Sequence, residues 1–138
     1  MWQSPPEERM GGRPVPIETR GIRHVHLLVS DQDRSVAFYD HVFGMKIGFR
    51  DGSIVFLHSP DGHDDLALHL AVTDDERARV GDHGGMEHFG ITVKDRNELD
   101  QAVALVLEAG GALVSKGEHA PGVPYAYISD PDGYVIEI

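Results

Sequence analysis

Between residues 21 and 72 the hydrophobic pattern passes from a period of two to one near 3.6 and back again. "IRHVHLLV" alternates as a strand does. "DQDRSVAFYDHVFG" follows with a helical stripe of Val36, Tyr39, Val42 and Phe43. Asp31 is placed to cap this helix and Gly44 to close it. Three short strands are predicted next, at 45–50, 53–58 and 66–72, separated by the turn signals "DG" at 51–52 and "PDGHDD" at 60–65. Residues 73–87, "TDDERARVGDHGGME", are charged and glycine-containing and read as a linker.

The order then recurs. "EHFGITV" predicts a strand, and "DRNELDQAVALVLEAGG" a helix with Leu99, Ala102, Val103 and Val106 on one face. "ALVSKG", "YAYIS" and "YVIEI" predict three more strands, the last two joined by "DPDG" at 130–133. One βαβββ unit is therefore written twice, at about 21–73 and 86–138, within a single α+β domain spanning 21–138. Residues 1–20 carry four prolines and a glycine pair, which predicts a flexible N-terminal arm.

Side chains on a strand point to alternate faces. Val25, Leu27 and Val29 share one face of the first strand, and His24 and His26 share the other. Leu66, Leu68, Leu70 and Val72 oppose His69. Phe89, Ile91 and Val93 oppose His88 and Gly90. Tyr134, Ile136 and Ile138 oppose Glu137. Four strands thus turn an apolar face to the helices and present His, His, His and Glu on the other. An ordinary exposed strand face carries Thr, Lys, Glu and Ser. Imidazoles with a carboxylate are a ligand set for a divalent ion such as Zn, Fe, Mn or Ni.

Composition narrows the function. The chain has 23 acidic and 12 basic residues and a net charge of −11, which repels phosphate backbones and argues against a nucleic-acid partner. It has no cysteine, so disulfides, thiolate zinc sites and thiol catalysis are excluded. No apolar run has the length of a signal peptide or a membrane span. The expectation is a cytoplasmic protein with no membrane partner.

The pieces "HVHLLVSDQDRSVAFYDHVFGMKIG", "EHFGITVKD" and "ISDPDGYVIEI" resemble the vicinal oxygen chelate superfamily. That group includes glyoxalase I, extradiol dioxygenases, fosfomycin-resistance thiol transferases and bleomycin-binding proteins. The resemblance covers about residues 21–138. It implies two βαβββ modules curled into an open β-barrel around a metal site, with helices outside, and a homodimer. By the same resemblance His24, His88 and Glu137 match metal ligands. His69 falls where glyoxalase I has a carboxylate that serves as ligand and base, and imidazole can ligate there. Tyr127, ten residues before Glu137, matches an active-site tyrosine.

His26 lies one pleat beyond His24, ~6–7 Å along the strand. It suits an acid/base role, because imidazole titrates near neutral pH. His58 closes a strand and is a candidate for the cavity. His41, His63, His83 and His119 are expected in solvent, and Lys116 at the cavity mouth. The function implied is a metal-dependent enzyme acting on a small substrate that chelates the ion through oxygens, of extradiol-dioxygenase type. The alternatives are a glyoxalase-I-like lyase or isomerase and a non-catalytic drug-binding resistance protein.

Overall fold

A computed structural model describes residues 9–10, 13–62 and 64–138. The chain order is β1 (Arg9–Met10), β2 (Arg13–Pro14), β3 (Val25–Val29), α1 (Gln32–Phe43), β4 (Lys46–Asp51), β5 (Ile54–His58) and β6 (Leu66–Leu70). It continues through α2 (Asp74–Arg79), β7 (Phe89–Gly90), a 3-10 turn at Arg96–Glu98, α3 (Leu99–Glu108), β8 (Ala112–Ala120), β9 (Val123–Ser129) and β10 (Val135–Glu137). Within the segment read as an arm, β1 and β2 pair antiparallel; the rest of that reading up to residue 12 lies outside the described residues.

The duplication in the sequence is a duplication of topology. One sheet runs β3-β6-β5-β4 and the other β7-β10-β9-β8. In each, the first strand of the module lies parallel to its last, and the remaining pairs are antiparallel. The architecture is the expected α+β pair of βαβββ modules. It differs in that the two sheets share no hydrogen-bonded edge, so no barrel closes within one chain. The modules meet instead through their helix-covered faces, where α1 packs on α3.

Helix α1 forms where its signals stand. Asp31 accepts the Arg34 amide at 3.1 Å, and Gly44 ends the helix at φ 66°, a conformation that costs a residue with a Cβ about 1 kcal/mol or more. Its buried face carries Phe38 and Tyr39, and Phe38 was not in the predicted stripe. One core takes in Leu27, Leu57, Leu68, Val106, Ile128 and Ile136 from both modules. Each such side chain, fully buried, contributes about 1.5–3 kcal/mol. Of the predicted apolar faces, only Val72 stands largely in solvent, because β6 ends at Leu70.

Polar contacts lock the modules together. Tyr39 donates its hydroxyl proton to buried Asp130 at 2.7 Å, from the "DPDG" turn of the second module. The other Asp130 oxygen accepts the amides of Asp132 and Tyr134, each at 3.0 Å. Asp132 takes the Arg34 guanidinium at 3.0 Å, and the Tyr134 hydroxyl donates to the Leu28 carbonyl at 2.7 Å. Burial lifts the Asp130 carboxyl above its usual range. Burial first, and then the Asp130 charge, push the Tyr39 hydroxyl well above 10.

The segment read as a linker is structured. Thr73 and Glu76 form a reciprocal capping box that starts α2, and His83 accepts the Val135 amide of β10 at 2.8 Å. No residue of α2 is buried, so this helix has no apolar stripe, and only the T-x-x-E spacing signals it.

Candidate metal centre

Glu137 sits on β10, between β7 and β9. The register sets Gly90 on one side of it and Tyr127 on the other. His88, just before β7, brings Nε2 to 3.1 Å from Glu137 Oε1. His119 brings Nε2 to 2.8 Å from Oε2. Both carboxylate oxygens are therefore held. The His119 contact first, and the charge of His88 further down, keep the Glu137 carboxyl below the usual carboxylate range. The rings form a shelf around it: His88 lies edge-on to Tyr127 at 4.9 Å, and His119 stacks on Tyr125 at 4.3 Å. Loss of water and then the Glu137 charge raise the Tyr127 hydroxyl, which keeps it a hydrogen-bond donor at neutral pH.

His119 is the residue the sequence reading missed. It is exposed, as expected, and it also stands at the flank of Glu137, because β8 runs on to Ala120. Ser115 pairs with Tyr127 and Gly117 with Tyr125, so alternation carried through Gly117 puts His119 on the same face. The glycine hid the signal by breaking the strand pattern. A Cβ at Gly117 would stand 2.8 Å from the Tyr125 hydroxyl oxygen, so Tyr125 would have to shift.

The remaining candidates stand on the first sheet. The rings of His24 and His26 lie 6.4 Å apart, one pleat along the strand. His26 Nε2 is 3.2 Å from His69 Nδ1, and His69 Nε2 is 3.6 Å from Glu76 Oε2. Glu76 is held in turn by the amides of Thr73 and Val72, and these keep its carboxyl below its ordinary value. Partial burial first, then the charges of His69 and His24, lower His26. His24 packs edge-on against Phe56 at 5.9 Å, and its Nδ1 is buried without a partner.

The side chains expected at one centre thus form two groups, with His24, His26 and His69 on one sheet and His88, Glu137 and Tyr127 on the other. No hydrogen bond joins the groups, and among the described residues no three His, Asp or Glu side chains are arranged to hold a metal ion. The donor types still fit a divalent ion: an unpartnered imidazole nitrogen on His24, and an imidazole and carboxylate already paired at His88 and Glu137.

Other candidate side chains stand apart from Glu137. Lys116 pairs with Ala126, on the face away from Tyr127, with its ammonium 3.9 Å from Asp100. His41 is exposed, as expected, and pairs with Glu108 at 2.9 Å, whereas His83 turns to the β10 amide. His58 donates from Nδ1 to the Ser59 carbonyl at 2.9 Å. His63 lies outside the described residues.

Residues 21–138 match the family described as the glyoxalase/bleomycin resistance protein/dioxygenase superfamily. The chain belongs to this superfamily. A superfamily relative, catechol-2,3-dioxygenase of Bacillus subtilis, is 33% identical over 88% of this chain, but the match spans only 41% of that protein. A 2,2',3-trihydroxybiphenyl dioxygenase of Sphingomonas paucimobilis is 26% identical, over 40% of its length. The chain thus spans about two fifths of the dioxygenases it matches. A lactoylglutathione lyase of Neisseria meningitidis is 32% identical over 83% of this chain and 86% of its own. Among solved structures, fosfomycin resistance protein FosX of Listeria monocytogenes superposes with a TM-score of 0.66 at 16% identity, covering 87% of this chain and 89% of its own. That likeness shows the superfamily fold.

Proposed function

We infer that the protein is a metal-dependent enzyme acting on a small molecule that chelates the ion through two oxygens, in the manner of an extradiol dioxygenase, and that it works as a homodimer. The observation that carries this reading is Glu137, held between His88 and His119 with Tyr127 abreast of it. His24, His88 and Glu137 would hold the ion, Fe, Zn, Mn or Ni. Bound there, it would supply Lewis acidity to the substrate oxygens and, as iron, the redox capacity for ring cleavage. Tyr127 donates a hydrogen bond to a substrate oxygen. His26 and His119 are the proton carriers.

The separation of the two groups on one chain supports the dimer. Both histidine-bearing faces are open, and Phe49, stacked on Phe56 at 4.5 Å, is half exposed beside them. A second copy that lays its second sheet over this first sheet brings His24 to His88 and Glu137 of the partner subunit. It also covers Phe49, which water disfavours.

A lyase of the lactoylglutathione type is the second reading. Its support is length, since such a relative is matched over 86% of its own chain. Against it, His69 replaces the carboxylate of that chemistry and is committed to His26 and Glu76. Purified protein, assayed for metal and then for oxygen uptake with a panel of catechols and for loss of glutathione hemithioacetal, decides between them. Oxygen uptake supports the dioxygenase reading; hemithioacetal turnover without it supports the lyase.

A further inference from the structure

We propose that Arg96 is an anion-holding residue of this site and that the substrate carries a carboxylate beyond its two chelating oxygens. The proposal rests on the functional reading above and narrows its substrate class. A cavity of about 350 Å³ opens at the end of the second sheet. Glu137, His119, Arg96 and Thr92 line it together with the apolar Leu99 and Pro124.

What sets Arg96 apart is that it lines this cavity with its charge unspent. Arg23, Arg34, Lys46, Arg77, Arg79 and Lys94 each stand 2.8–3.2 Å, or 2.7 Å for Lys46, from an aspartate. Among the described residues Arg96, Arg20 and Arg50 have no ion pair, although acidic residues outnumber basic ones by 23 to 12, and of these three only Arg96 lines the cavity. Its neighbour Asp95 is used as a cap, accepting the Asn97 amide at 2.9 Å. Glu137, in the same lining, is held by His88 and His119.

A guanidinium presents a fork that matches a carboxylate in two parallel hydrogen bonds. The net charge of −11 repels anions, yet at 0.1 M salt its reach is about 10 Å, so the cation nearest the ligand decides. The apolar side chains Leu99 and Pro124 in the same lining suit the carbon skeleton that would separate carboxylate from chelating oxygens.

The test titrates 3,4-dihydroxybenzoate and catechol by calorimetry into wild type, Arg96→Met and Arg96→Lys, each loaded with Mn(II), and benzoate into the metal-free proteins. Unchanged Tm and metal content show that the variants fold. Wild type is expected to favour dihydroxybenzoate over catechol by about tenfold. Arg96→Met is expected to lose that preference and the benzoate binding, and Arg96→Lys to keep part of both. A preference that survives Arg96→Met, or a wild type with none that also ignores benzoate, overturns the proposal while metal-dependent catechol binding leaves the functional reading standing. Wild type that binds neither Mn(II) nor catechol overturns that reading, and the proposal with it.

Discussion

His119 Nε2 lies 2.8 Å from Glu137 Oε2, on the opposite oxygen from the one that His88 approaches at 3.1 Å. The carboxylate is fixed in rotation by two imidazoles from two different strands' ends. A metal ligand held this way needs little reorganisation to bind an ion. Its partners tune it as outer hydrogen bonds tune other metal ligands.

The first prediction follows from that contact. Glu137 is held below its ordinary value chiefly by His119, so its folded pKa is lowered. Stability from a lowered carboxylate is present above the unfolded pKa and is lost as pH falls through the folded one. His119→Phe should therefore move the titration of Glu137 upward, read by carboxyl carbon NMR. Metal affinity should fall about 10–100-fold at neutral pH. A titration that stays in place would show that the contact does not hold the carboxylate.

His26 carries the second. Burial and its neighbours lower it, so it is neutral at pH 7 and able to accept a proton. His26→Gln should retain metal but slow turnover of a working substrate about 10²-fold or more. It should also erase an acid limb of the rate profile that lies below the usual histidine range. Unchanged turnover would make His26 a structural partner of His69.

The lock between modules supplies the third. Removing the hydroxyl in Tyr39→Phe strands an oxygen of buried Asp130, at a cost of about 1–3 kcal/mol. Burial raises the folded pKa of Asp130, so its contribution is present below the unfolded pKa and lost as pH rises through the folded value. The hydroxyl favours the ionised form. The variant should accordingly lose more stability at pH 7 than near pH 4, measured by urea unfolding. An equal loss at both values would remove Asp130 from the explanation.

Much of this was legible in the chain. Alternation placed His24, just before β3, and His26 on one face and Glu137 opposite Ile136 on β10, because strand geometry leaves only two faces. The capped helix between Asp31 and Gly44 followed from its end residues. Two things were not legible, for physical reasons. Helix α2 buries nothing, so hydrophobic period cannot report it. His119 follows a glycine that β-propensity reads as a strand's end, whereas the strand runs on past it with the Tyr125 hydroxyl packed against Gly117. Nor does periodicity say whether two faces of one chain meet each other or those of a second copy.

That last point is the centre of the account. The most direct measurement is the metal content of a hybrid dimer made from one His24→Ala protomer and one Glu137→Gln protomer, purified through two different tags. If His24 of one protomer works with His88 and Glu137 of its partner, each variant alone binds no metal. The hybrid then regains one intact site and holds one ion per dimer. If the site lies within a chain, both sites of the hybrid carry a lesion and it stays empty, which would contradict the shared centre.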